Sequence, residues 1–247
     1  MLLCALAFFS IVAIHQSVHT RSWTSPLEVV VLPINADQHI DTDRYIKSLS
    51  NGNLREIESW FKREAERYTL TLEAPVEISL GPQVFAKPPE FPGNSNFVNV
   101  LAWGLRFRWW AFRNTPDIDS NLTQVRMFVM YYQGEDNMPL RHSLGMEKGL
   151  LGLVHAFAQD RQTSQNNIVI AHELLHTVGA IDKYEFSGSP IFPIGYANPL
   201  REPLFPQRNA EIMAGKIPLS HGRSYMAESL NNVIINNYTA AEINWLD

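Results

Sequence analysis

"HELLHTVGAID", residues 172–182, decides how the rest of this chain is read. His172 and His176 stand four apart, Glu173 directly follows the first, and Gly179 and Asp182 complete the stretch. On a helix, positions four apart share a face, so the two imidazoles aim at one point. Glu173 falls beside that face, which suits a base taking a proton from a metal-bound water. A glycine at 179 is free to take positive φ, end the helix and turn the chain back, bringing the side chain at 182 to the same point. Neutral imidazole and carboxylate oxygen bind zinc at about 2.0–2.2 Å, and a catalytic zinc takes three protein ligands and keeps one open position. His172, His176 and Asp182 are therefore the expected ligands of one catalytic Zn2+, with Glu173 the expected general base. In a chain with eight histidines, the H-E-x-x-H spacing arises by chance in roughly one chain in a hundred. The helical pattern of "NNIVIAHELLH" and the placement of Gly179 argue against chance.

The chain has 247 residues, 45% hydrophobic and 18% charged, enough for one catalytic domain with a core over residues 25–247. A net charge of −5 and a pI near 5.9 give no reason to expect a nucleic-acid partner. The single cysteine, Cys4, leaves the rest of the chain without disulfides or thiolate ligands. It lies in "LLCALAFFSIVAI" (2–14), an apolar run of signal-peptide length. No basic residue precedes the run and no small-x-small site follows it. Residues 1–24 are read as a signal or membrane-anchor segment, which predicts an extracytoplasmic chain with a possible membrane tether.

"LEVVVLPIN" (27–35) is a continuous β-branched run and predicts a buried strand. "NLREIESWFKREAERY" (53–68) predicts a helix, with Asn53 as cap and Glu56 completing a capping box. Short strand segments are expected around Pro75 in 69–81, and a loop over 88–93. "NFVNVLAWGLRFRWWAFRN" (96–114) reads as an aromatic core helix along which Arg106, Arg108 and Arg113 lay their stems; the alternative weighed is contact with lipid headgroups. Strands are expected at 124–133 and 148–158, and a helix at 164–180 capped by Ser164 or Asn166. A proline-rich ordered loop follows over 187–209, then a helix at 239–246 capped by Thr239. That order predicts an α/β (α+β) layer arrangement around one mixed, twisted sheet.

On these residues the chain resembles the metzincin metallopeptidases, whose motif H-E-x-x-H-x-x-G-x-x-H/D is matched by 172–182. The Asp form is similar to that of the snapalysin family of small secreted proteases. "EIMAG" (211–215) resembles the Met-turn of that clan, which implies that Met213 underlies the metal. "LVHAFA" (153–158) resembles the strand above the cleft in matrixins, which implies an edge strand that pairs with extended substrate. The ligands of a second, structural zinc are not matched, so His155 is read as a structural histidine. No tyrosine stands two residues after Met213; Tyr184 and Tyr225 are the candidates for stabilising an oxyanion.

The expected function is zinc-dependent hydrolysis of peptide bonds by a monomer acting on peptide or protein substrates. Three alternatives remain open. One places Glu185 as third ligand, in the manner of gluzincins. Another is a non-catalytic, zinc-containing binding module on the same fold. The last is a zinc hydrolase of non-peptide substrates.

Overall fold

The computed structural model describes residues 16, 18–93, 96–116, 123–134, 143–147 and 149–246. The apolar run 2–14 and Cys4 lie outside them.

Five strands form one mixed sheet: β1 (Leu27–Asn35), β2 (Val76–Leu80), β3 (Val125–Tyr132), β4 (Leu144–Met146) and β5 (Leu151–Phe157). Their spatial order is β2-β1-β3-β5-β4. The first four in that order run parallel, and β4 pairs antiparallel to β5 at one edge. Helices α1 (Ile40–Ser48), α2 (Arg55–Arg67), α3 (Phe97–Asn114), α4 (Thr163–Thr177) and α5 (Asn237–Glu242) complete the main frame. The small pairs β6 (Ala210–Glu211) with β9 (Val233–Ile234), and β7 (Lys216–Ser220) with β8 (Arg223–Met226), belong to the C-terminal part. The chain is thus the mixed α/β arrangement that the element order predicted.

The unbroken apolar run of β1 has a direct cause, because both faces of the sheet are covered. Leu27, Val29 and Val31 join a core with α2, α4 and the C-terminal segment. Val30, Leu32 and Ile34 join a second core on the opposite face with Trp103, Phe107 and Ala111 of α3. α2 ties the C-terminal segment down. Trp60, fully buried, donates its indole N–H to the Val233 carbonyl at 2.8 Å, and Glu64 accepts from Ile235 N–H at 2.9 Å.

Several expectations are corrected. The strand at the sheet edge is β4, not 153–158. β5 carries a run of wholly buried residues from Leu151 to Ala156 and lies between β3 and β4, as a strand covered on both faces should. The edge goes to a three-residue strand, short enough to limit stray pairing. Residues 69–75 are not strand; β2 begins after Pro75. α2 is preceded by a 3-10 turn, Asn51–Leu54, whose capping box is Ser50 with Asn53. Glu56 instead accepts from Leu230 N–H and the Asn167 amide. α4 has no side-chain cap at its start; Asn166 bonds both the N–H and the carbonyl of Phe157 at the end of β5. α5 is capped by Asn236, and Thr239 turns its hydroxyl to Glu211. Finally, α3 is a core helix on one face only: Leu101, Leu105, Trp109 and Phe112 stand exposed on the other.

Candidate metal centre

The helix that carries the two histidines ends in a Schellman arrangement. Gly179, at φ +103, donates to the His176 carbonyl at 3.2 Å, and Ala180 donates to the Leu175 carbonyl at 3.1 Å. A side chain at 179 would be strained at that φ. The same turn aims the Ala180 carbonyl back at the ring of His176, 2.8 Å from its Nδ1. His172 Nδ1 meets the Ile212 carbonyl at 2.9 Å. A carbonyl only accepts, so each Nδ1 carries the hydrogen and each neutral ring turns a bare Nε2 lone pair outward.

Those two lone pairs converge on Asp182. The His172 Nε2, His176 Nε2 and Asp182 Oδ1 atoms form a triangle with all three sides 3.1 Å. Three acceptors face one point with no donor among them, an arrangement that requires a cation or an added proton. Tetrahedral zinc with bonds of about 2.0–2.1 Å sets its ligand atoms roughly 3.3 Å apart. The spacing and the donor set, two imidazoles and a carboxylate, fit zinc. Among the described residues these three form the group of His, Cys, Asp and Glu able to hold a metal ion.

Without a metal, a proton takes the place of the ion. Burial disfavours the charged form of His172, yet the hydrogen bond to Asp182, the Glu173 charge and the Ile212 carbonyl lift its pKa to about 9. Burial raises the Asp182 carboxyl, but hydrogen bonds from His172 and His176 hold it well below the usual carboxylate range.

Glu173 lies beside the triangle, buried, with its Oε2 lacking any hydrogen-bond partner. Burial pushes its pKa up, opposed by the two imidazoles, and the backbone N–H of Gly145 on β4 bonds the carboxylate. Gly145 is also a spacer. A Cβ at that position would overlap the Glu173 carbonyl and the His176 Cβ. Gly145→Ala is therefore expected to push β4 off α4, at a cost of about 1–3 kcal/mol. A thermal midpoint equal to that of the wild type would contradict this.

The segment after the turn is held from below. Lys183, fully buried, donates to Glu242 at 2.6 Å and to the Ile181 carbonyl at 3.1 Å, while its backbone N–H reaches the Met213 carbonyl at 2.9 Å. Met213 is fully buried in the turn Glu211–Gly215, and the adjacent Ile212 supplies the carbonyl under His172. Glu211 accepts from Thr239 Oγ1 at 2.6 Å and from Ala214 N–H at 3.1 Å. Burial pushes its pKa up to about 7, against the opposing effects of Thr239 and Lys183. A carboxyl raised on folding stabilises below its unfolded pKa and loses that contribution as pH rises through the folded value. Stability should fall by a few kcal/mol, on the order of 3, between about pH 4.5 and pH 7. Glu211→Gln should flatten that window in denaturant titrations; equal slopes in both proteins would refute the assignment.

Of the tyrosines, Tyr184 is at the site. Its ring lies 6.5 Å from that of His172, and burial together with the Asp182 carboxylate pushes its pKa up to about 12. Tyr225 is on the exposed β8, paired with Ile217, and is not brought to the triangle. Glu185 is exposed in the turn closed by Ser189 and Gly188 and stands outside the metal-capable group, so the alternative third ligand is set aside. His155 is buried and hydrogen-bonded to Tyr132 at 2.9 Å. Lys183, Glu211 and Gly145 were not singled out from the sequence; their partners lie far away along the chain, and no local spacing signals them.

Scanned against protein-family models, the chain matches none, and no curated protein is significantly similar to it.

Proposed function

We propose that the chain is a zinc-dependent endopeptidase, with His172, His176 and Asp182 as ligands and Glu173 as general base. The observation that carries this reading is the triangle of three outward lone pairs beside a buried carboxylate oxygen with no partner. A structural site would have no use for the second feature.

Zinc bound there supplies Lewis acidity toward a carbonyl oxygen and lowers the pKa of a water toward about 7. The residues do the rest. Glu173 accepts the proton of the attacking water on Oε2 and returns it to the leaving nitrogen. The Gly145 N–H holds the carboxylate in orientation. Tyr184 stays protonated at neutral pH and is a hydrogen donor beside Asp182. β4, at the sheet edge next to Glu173, offers main-chain groups to an extended peptide. That edge favours a peptide substrate over a non-peptide one, and it links the resemblance to metzincins with the short strand rather than with 153–158. Asp182 adds a negative charge that a third histidine would lack, which should make the bound zinc a weaker Lewis acid.

The test is incubation of the purified full chain with an unstructured protein, followed by mass spectrometry of the new termini. Cleavage that a chelator stops and zinc restores supports the proposal. No cleavage of any of several unrelated unstructured proteins, with zinc bound, points to the binding module instead.

A further inference from the structure

Helix α3 is buried on one face and bare on the opposite one. Trp103, Phe107 and Ala111 pack on the sheet. Val98, Leu101, Leu105, Trp109 and Phe112 point away from it, exposed by 68, 53, 61, 62 and 71%. Their spacing of three and four places them in one stripe along the helix. Single exposed apolar residues need no explanation, but a continuous stripe of five large ones does. Trp109 and Phe112 stack on each other at 6.0 Å within it.

Charge says what covers the stripe. At 100° per residue, Arg106 and Arg113 lie along one flank and Arg108 along the other. The helix carries no Asp or Glu, although the whole chain has a net charge of −5. Arg106 and Arg113 form no ion pair among the described residues. An apolar stripe between cationic flanks is the pattern of a helix lying in the plane of a lipid interface, with tryptophan at headgroup level. α3 is not long and apolar enough to cross a membrane. A second protein suits the stripe less well. An 18-residue helix is about 27 Å long and 10 Å wide, so its outer face offers on the order of 300 Å2, well below the roughly 800 Å2 that each partner gives to a stable interface.

The placement agrees. Arg21, a few residues after the apolar run 2–14, pairs with Glu147 at 3.8 Å, and Gly149 lies against the side chain of Arg108. Arg21 therefore lies at the end of the fold where the second half of α3 lies. Stable attachment to a membrane takes two such elements.

We propose that the outer face of α3 docks in the plane of an anionic lipid surface, its five apolar side chains at the acyl boundary and Arg106 and Arg113 at phosphate depth. The test uses the full chain with vesicles of phosphatidylcholine alone or mixed equally with phosphatidylserine. Brominated acyl chains should quench the wild type, and Trp109→Phe should remove most of that quenching. Leu105→Ser with Phe112→Ser should lower the vesicle-bound fraction by about tenfold or more. Arg106→Glu with Arg113→Glu should lower affinity for the anionic vesicles by at least about fivefold per arginine and leave the neutral ones little changed. Quenching unaffected by Trp109→Phe would place another segment in the membrane and overturn the proposal. So would a wild-type dimer that Leu105→Ser with Phe112→Ser converts to monomer, since a second copy would then cover the face.

Discussion

Glu173→Gln should lower peptide cleavage by about 10²- to 10⁴-fold while leaving zinc in place. The substitution keeps the shape of the side chain and its bond with the Gly145 N–H, since the amide oxygen still accepts. What it removes is the group that takes a proton. The same change relieves a buried charge whose Oε2 has no hydrogen-bond partner, so the variant should be as stable as the wild type or more so. Loss of activity together with equal or higher stability is the signature of a catalytic carboxylate. A variant that cuts at the wild-type rate would remove Glu173 from the mechanism. One that loses both zinc and activity would make Glu173 a ligand or a support for one.

Asp182→Ala should reduce zinc affinity by more than about 100-fold, since changes to groups merely supporting ligands already cost 10- to 100-fold. Asp182 is the least usual member of the triangle and the most exposed, at 44% of its side chain. Its removal leaves two imidazole lone pairs 3.1 Å apart with no third ligand atom between them. The backbone around it is held independently, by Lys183 N–H on Met213 and by the Lys183–Glu242 pair. The fold should therefore survive, and the loss should register as metal affinity. Chelator competition measures it, and cleavage should return in part at high zinc. Wild-type affinity in the variant would show that the carboxylate is not a ligand.

How much of this could be read from the sequence depended on the distance over which each residue acts. β1 was legible because burial on both faces writes itself as an unbroken apolar run. α2 and α4 were legible through their periods, and the turn at Gly179 through its need for positive φ. The caps were misplaced for one shared reason: Glu56, Asn166 and Thr239 look like local caps, yet each bonds a different element, Glu56 the Leu230 N–H, Asn166 the end of β5 and Thr239 the Glu211 carboxylate. α1 was missed because its nine residues carry few apolar side chains. β4 was missed because three residues make no pattern, and its place at the edge is decided by pairing with β5. The triangle itself is local to one helix and its turn, so the sequence held it whole. The Lys183, Glu211 and Glu242 support beneath it joins three separate segments, and only the fold brings them together.

The most direct measurement is the metal content of the purified full chain, by elemental mass spectrometry, beside Asp182→Ala. One zinc per chain in the wild type and a small fraction of that in the variant is the expected result. A chain that holds iron in place of zinc, or no metal when isolated with zinc supplied, would contradict the account.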